Sequence, residues 1–529
     1  VTELDRLDVD KQAGIYNPKW KVRPGSVYDC DWKNLPCGHE ETIGAHQIFP
    51  IFHEVGEEPY LPVVKHSCPR CKMSAAIRST SNKVSWDGDI FKKYAKWFRA
   101  KFIPRAVSWM DHQKTVVNLQ SWLKSSNYTK RQQDQILEAY SYPRRGDKKM
   151  VFESFPKIEK QFYWDKAVKE RCIFGPIDEK KCMANPFIKE LEGIAHAWFE
   201  PYCGRKNWIE ISADLDKKLQ TLKEVMFAEA DGSGFDMSQT QNFHRLMNEL
   251  IMTCARHPNV QWDDPLNIDD LKYALENSLE LEVSVDHGEV RYKADGRASG
   301  DGWTTYANTM LMISYWLFTF DLAGVDENEV LLRVKGDDVI VGADEENAKR
   351  ITAAQKLVFT FRKDKHTHGL AQIGDPLSWK TDIRDISFLS SHFFTTDHGT
   401  IRMVRIPARI LQTISWSTKL PIANEKKIEA NRRQLCRSAG KCLQAWARGL
   451  PIWETLANKL IELGEDGPLT EFNEYADGMR KWYNRDDRSA YLGYLDHRYH
   501  ITPSEVAVIE ARIAGITNLQ GFCELPMLR

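Results

Sequence analysis

The sequence has no excess of either charge. Over 529 residues Lys and Arg number 73, Asp and Glu 74, and the net charge is −1. A chain-wide basic field is therefore excluded, and any polyanion has to be met by a local groove. No long apolar run is free of charge, and no secretory h-region opens the chain, so no membrane segment of its own is expected. The most apolar stretch, Met310 to Phe320, contains Ser314, Tyr315 and Thr319 and runs into Asp321, the pattern of a buried core helix. Cysteine is sparse: the 11 residues are odd in number and mostly scattered, which argues against a disulfide framework and favours a reducing compartment. An initiating methionine is missing too, and Val1 is what a processed or truncated piece of a longer product would show. The 42% hydrophobic and 28% charged residues are those of a globular protein, and the length calls for two to four packed subdomains.

The organising stretch is Val330 to Gly342. Two β-rich apolar runs flank Gly336-Asp337-Asp338, which reads as a tight hairpin turn holding two adjacent carboxylates at its tip. Adjacent acids repel and raise one another's pKa unless a cation sits between them. Hard oxygen ligands of this kind suit Mg²⁺ carried with a phosphate substrate. Taken alone, the stretch is equally an ordinary Gly-Asp turn.

Two further acidic or glycine-rich stretches lie upstream. Lys223 to Ala230 reads as a strand ending at Asp231-Gly232-Ser233-Gly234-Phe235-Asp236, with a helix expected from Ser238 as N-cap. Gly296 to Thr309 runs from a Gly-rich loop into the apolar helix, and Thr304 and Asn308 share one helical face. Asp286-His287-Gly288 looks like a hairpin turn. A basic segment from Pro143 contains Lys169-Glu170-Arg171, where the two-residue period of a strand puts both cations on one face, fit to grip a triphosphate or a nucleic-acid backbone. Phe91, Tyr94, Trp97 and Phe98 form a helical core stripe within 85–142.

The N-terminal region carries separate chemistry. Cys68-Pro69-Arg70-Cys71 is a knuckle that aims two thiolates at one point, and Cys37-Gly38 is a candidate mate across about thirty residues. With Cys30 as fourth ligand, or His39 or His66 in its place, these would close a structural Zn²⁺ site. The alternative is a set of free thiols.

In this order the motifs resemble those of positive-strand RNA virus RNA-dependent RNA polymerases. Asp231…Asp236 resembles motif A, Ser299-Gly300…Thr304…Asn308 motif B and Gly336-Asp337-Asp338 motif C. Lys169-x-Arg171 resembles motif F, and Phe388 to Phe393 the motif E turn, without its more usual Cys or Gly. The likeness spans roughly Ser154 to Phe394. Asp-x-Ser-x-Phe-Asp and Ser-Gly-Asp-x-x-Thr look like tombusvirus and nodavirus-like polymerases. The stretch Ser299 to Asn308 is also similar to nidovirus polymerases, which usually carry SDD at motif C. The A-B-C order is not that of the permuted polymerases.

The resemblance implies an α+β right-hand fold: fingers, a palm with an antiparallel sheet and a helical thumb, with a small zinc-ribbon-like N-terminal segment. The expected division is 1–84 for the N-terminal extension, 85–215 for the fingers, 216–400 for the palm with a fingers insertion near 255–295, and 401–529 for the thumb. It implies RNA-directed nucleotidyl transfer with two Mg²⁺ or Mn²⁺ ions on Asp231, Asp337 and Asp338. Asp236 would sense the ribose 2′-OH with Ser299 and Asn308, beside Thr304, and Lys169 and Arg171 would bind the triphosphate. Lys363, Lys365 and Lys380 are candidates for a motif D proton donor. The implied partners are NTPs, template and nascent RNA and other viral replication proteins, in a membrane-associated complex of the host-cell cytoplasm. A non-catalytic RNA-binding scaffold and a reverse transcriptase are the competing readings.

Overall fold

The helix Thr304–Ala323 is apolar all round, and a helix of that kind must be enclosed on every side. Every residue from Tyr306 to Phe320 is buried. The expected core helix is therefore present, and Gly324, at φ +62°, stops it in the left-handed conformation that glycine adopts without a Cβ clash. Around it a computed structural model describes residues 88–141, 151–156, 172–279 except Ser233, 281–285, 290–294, 296–361, 369–417, 425–468 and 487–524, with the short paired segments Lys21–Val22, His46–Gln47, Pro62–Val63 and Gln161–Phe162. The chain mixes helices and sheets.

Three units pack on or near this helix. The first is a three-stranded antiparallel sheet in the order Leu331–Lys335, Asp338–Ala343, Met226–Asp231. Its strands are mostly buried, so both faces are covered, one of them by the central helix. The second is a helical layer, Gly88–Trp97, Ile103–Met110, Asp178–Trp198 and Gln241–Ala255, that encloses the same helix through an aromatic cluster. Tyr94 sits in van der Waals reach of Phe98, Tyr315 and Phe318, with ring centroids 5.2–5.7 Å apart, and its hydroxyl meets Ser314 Oγ at 2.7 Å. The stripe containing Tyr94 is core, as its spacing implied.

The third unit is a five-stranded sheet that ties distant segments together: Lys21–Val22, Val290–Ala294, Leu281–Val285, Val151–Pro156, Cys172–Gly175. Leu281–Val285 and Val290–Ala294 form an antiparallel pair, while Asp286-His287-Gly288, read as a hairpin turn, lies outside the described residues. Residues 281–294 thereby join the sheet of 151–175 and not the carboxylate sheet, although 216–279 lie before them in sequence.

The C-terminal part has its own core, built on Glu425–Ala447, Trp453–Leu463, Arg488–Tyr499 and Pro503–Gly515. One strand, Ile401–Arg405, falls beyond the expected boundary at 400 and pairs with Ser391–Thr395, because a hairpin cannot be divided without exposing its ladder.

One local expectation changes. The helix after Asp236 is not capped by Ser238. A single turn, Phe235–Ser238, comes first and a second helix, Gln241–Ala255, follows with Thr240 at its N-cap. Ser238 is buried, and its hydroxyl donates to Phe235 O at 2.8 Å. Among the described residues no helix is long and apolar enough to cross a membrane.

Candidate active site

The hairpin Leu331–Lys335/Asp338–Ala343 turns on Gly336 and Asp337. Lys335 pairs with Asp338, leaving a two-residue loop in which Gly336 takes φ +64°. Glycine with positive φ at the first loop position is what a right-twisted hairpin of the II′ type requires. The turn is fixed from below: Gly336 N donates to Thr309 Oγ1 at 2.9 Å, and the Thr309 hydroxyl donates to Thr305 O at 2.7 Å. The central helix thus sets the height of the carboxylates.

Register then brings the acids together. Asp338 stands directly opposite Asp231 at the end of the ladder. Asp337 is held from the other side, since Gly232 N donates to Asp337 O at 3.2 Å. A Cβ on Gly232 would lie 2.7 Å from Asp337 Cβ, so this approach is open to glycine alone. Burial pushes Asp337 up to about 7, and the charges of Asp231, Asp236 and Asp338 push the same way. Asp338 rises to about 6 through burial and through Asp231 and Glu229. Asp337 and Asp338 are half-buried and lie beside the exposed Asp231, and hard oxygen donors gathered in this way suit a divalent cation of the Mg²⁺ type. Among the described residues no group of three or more His, Cys, Asp or Glu is arranged as a ready metal site.

The Gly-rich loop packs beside this tip. Thr304 Oγ1 donates to Ala298 O at 2.5 Å, and Thr304 N to Asp301 O at 3.0 Å, so this hydroxyl closes its own loop. Ser299 Oγ accepts from Phe174 N at 3.4 Å, and a Cβ on Gly300 would lie 2.5 Å from Phe174 O. The loop therefore lies flat against the strand Cys172–Gly175. Asn308 Nδ2 donates to Asp236 Oδ1, joining the two stretches that the sequence placed in separate motifs.

Residues 204–441 match the family model for viral RNA-dependent RNA polymerase. The chain carries a viral RNA-dependent RNA polymerase domain. It is an RNA-directed RNA polymerase, a nucleotidyltransferase, and the likeness to positive-strand RNA virus polymerases read from its motifs holds. Polymerases of this kind work with divalent metal ions, RNA and NTPs.

Within the polymerase domain the other expected residues divide. The motif E stretch is a turn: Leu389 and Ser390, at φ +53° and +56°, link Ser387–Phe388 to Ser391–Thr395 without any glycine. Lys380 is exposed, and its backbone exchanges two 2.7 Å hydrogen bonds with Phe227. Phe227 is four residues, roughly 13 Å of strand, from Asp231, so Lys380 sits at the far end of the sheet. Lys363, Lys365, Lys169, Arg171, Cys30, Cys37, Cys68, Cys71, His39 and His66 lie outside the described residues. Of the described cysteines, Cys182, Cys203, Cys254 and Cys436 are buried free thiols whose pKa burial raises.

Sequence reasoning missed Gln239, Arg297 and the Lys180–Asp301 pair. Lys180 Nζ meets Asp301 Oδ2 at 3.0 Å with both side chains almost wholly buried, and it lies 4.0 Å from the Phe152 ring centroid and 4.7 Å from that of Trp303. Asp301 stands inside the Ser-Gly-Asp stretch, which was the available signal; nothing local marks Lys180 within a run of surface-like lysines.

Proposed function

We propose that the carboxylate hairpin is the reaction centre of template-directed RNA synthesis for a viral genome. The observation that carries this reading is the register of Asp231 against Asp338, with Asp337 in the adjoining turn. Asp231 and Asp337, assisted by Asp338, are the residues that would hold two Mg²⁺ or Mn²⁺ ions. Such ions, when bound, favour the ionised primer 3′-oxygen and neutralise the leaving pyrophosphate.

The chain's own groups supply position and selection. Asp236 accepts the hydrogen of the ribose 2′-OH, a group that both donates and accepts. Asn308 holds Asp236 in place, and Ser299 lies on the neighbouring loop. Thr304 keeps that loop closed. Lys169 and Arg171 grip the triphosphate by charge. In this reading 216–400 is the palm with a fingers insertion near 255–295, 85–215 the fingers and 401–529 a helical thumb, in a right-hand arrangement of the tombusvirus and nodavirus-like kind. Cys30, Cys37, Cys68 and Cys71 would staple the 1–84 extension around a structural zinc, on spacing alone. Other viral replication proteins and a cytoplasmic, membrane-associated complex follow from the resemblance.

RNA-templated primer extension with NTPs and with dNTPs tests the proposal. Efficient extension with NTPs alone supports it. Preferred use of dNTPs would point to a reverse transcriptase, and template binding without extension to a scaffold.

A further inference from the structure

A hydrogen-bonded chain of four side chains runs behind the sugar-sensing carboxylate. Arg297 Nε donates to Gln239 Oε1 at 2.8 Å, Gln239 Nε2 donates to Asn308 Oδ1 at 2.7 Å, and Asn308 Nδ2 donates to Asp236 Oδ1. Gln239 is 1% exposed, Arg297 2% and Asn308 6%, so water does not compete for these bonds. Arg297 N also donates to Asp236 O at 2.7 Å, which ties the first and last members through the backbone.

The chemistry of the two ends fixes the direction of the chain. A guanidinium only donates and a carboxylate only accepts. Two amides placed between them satisfy every contact in one orientation only. Turning Gln239 over would set its NH₂ against the Arg297 N–H. Turning Asn308 over would set its carbonyl oxygen against the Asp236 carboxylate. The loop carrying Arg297 is itself anchored, because Asp301, four residues on, is paired with buried Lys180.

We propose that Gln239, oriented by Arg297, is a positioning residue for sugar selection: it turns the Asn308 amide toward Asp236 and so sets how strongly ribose is preferred over deoxyribose. This rests on the reading of Asp236 as the carboxylate that senses the 2′-OH. Gln239 touches neither substrate nor metal. Its effect reaches the nucleotide only through Asn308 and Asp236.

Gln239→Glu separates this role from a merely structural one. The new carboxylate still accepts from Arg297 but cannot donate to Asn308. Asn308 then turns its NH₂ toward position 239 and its carbonyl toward Asp236. The readout is kcat/KM for a ribonucleotide and for its 2′-deoxy counterpart on one RNA template, with a melting curve for each protein. The expected result is a fall in the ribose-over-deoxyribose ratio of about tenfold to a hundredfold, the scale of one hydrogen bond to a charged group, mainly through the KM of the ribonucleotide. Deoxynucleotide use should change far less. Should that variant not fold, Gln239→Met, which breaks both bonds of the amide, should lower the ratio in the same direction. A folded variant with an unchanged ratio, or with equal losses for both sugars, overturns the proposal. Asp236→Ala, measured beside it, separates the two claims. If it leaves the ratio intact, the sugar-sensing reading itself fails. If it collapses the ratio while the Gln239 variants do not, only the role of Gln239 fails.

Discussion

Asp338 faces Asp231 across the last rung of an antiparallel ladder, two residues supplied by stretches more than a hundred positions apart in sequence. A one-residue slip would send one of the two carboxylates to the opposite side of the sheet. The apolar run Val339 to Val341, all buried, makes that slip costly because it would bring apolar side chains to the polar tip. The packing of the sheet therefore enforces the spacing of the acids.

Gly232 is the narrowest point of this arrangement. Gly232→Ala sets a Cβ 2.7 Å from Asp337 Cβ and 3.1 Å from Phe235 Cβ, so the turn must move. Nucleotide incorporation should fall by roughly a hundredfold or more, the cost of about a 1 Å displacement of a reacting group. Melting should drop only modestly. Single-turnover incorporation checks this, and near-normal rates would mean that the hairpin position is not critical.

Thr309→Val keeps the shape of the side chain but strands the Gly336 N–H, which Thr309 Oγ1 now receives. Leaving a half-buried donor unmet costs about 1–3 kcal/mol. Urea unfolding should show a loss in that range together with a lower kcat, whereas Thr305→Val should show neither loss, since Thr305 serves Thr309 through its backbone oxygen. A neutral Thr309→Val would show that the turn is held by its own backbone.

Acid stability should depend on His392. Burial, with a lesser push from Arg498, holds its imidazole neutral down to about 4, against some help to the charged form from Asp385. The unfolded imidazole takes its proton near 6.5. Between those values the unfolded chain binds more protons than the folded one, so this group's contribution is intact above pH 6.5 and is lost as pH falls toward 4, by about 3 kcal/mol at most. His392→Gln, which cannot titrate, should show a smaller drop in unfolding free energy between pH 7.5 and 5. An identical drop would remove His392 as the sensor. His392 Nδ1 meets Tyr494 Oη at 2.8 Å, so the pH-sensitive contact joins the sheet of 387–405 to the C-terminal helices.

Elemental analysis of protein purified without chelator should find one zinc per chain, lost in Cys68→Ser. A metal-free wild type would leave the N-terminal cysteines as free thiols.

The carboxylate hairpin was legible in the sequence because everything that builds it is local: a glycine at a turn, β-branched neighbours, adjacent acids. The core helix was legible for the same reason, since an apolar run of that length has few alternatives. Gln239 was not, because its partners Arg297 and Asn308 are 58 and 69 positions away and a buried glutamine has no local mark. The start of the helix after Asp236 was misplaced because Ser238 fits the N-cap pattern, while Gly234, in the left-handed conformation at φ +60°, starts a separate short turn first. The bond of the Thr304 hydroxyl to Ala298 O was not legible either: spacing puts Thr304 on the helical face of Asn308, and only the folded loop brings the carbonyl within reach of a hydroxyl at the foot of the helix.

The most direct test of the account is RNA-templated NTP incorporation by Asp337→Ala beside wild type, with RNA affinity measured on both. The account predicts incorporation lowered by at least about a thousandfold, the scale seen when charge stabilisation at a reacting centre is removed. RNA affinity should be nearly unchanged, since phosphate contacts dominate it. Near-normal incorporation by the purified variant would contradict the placement of the chemistry at this hairpin.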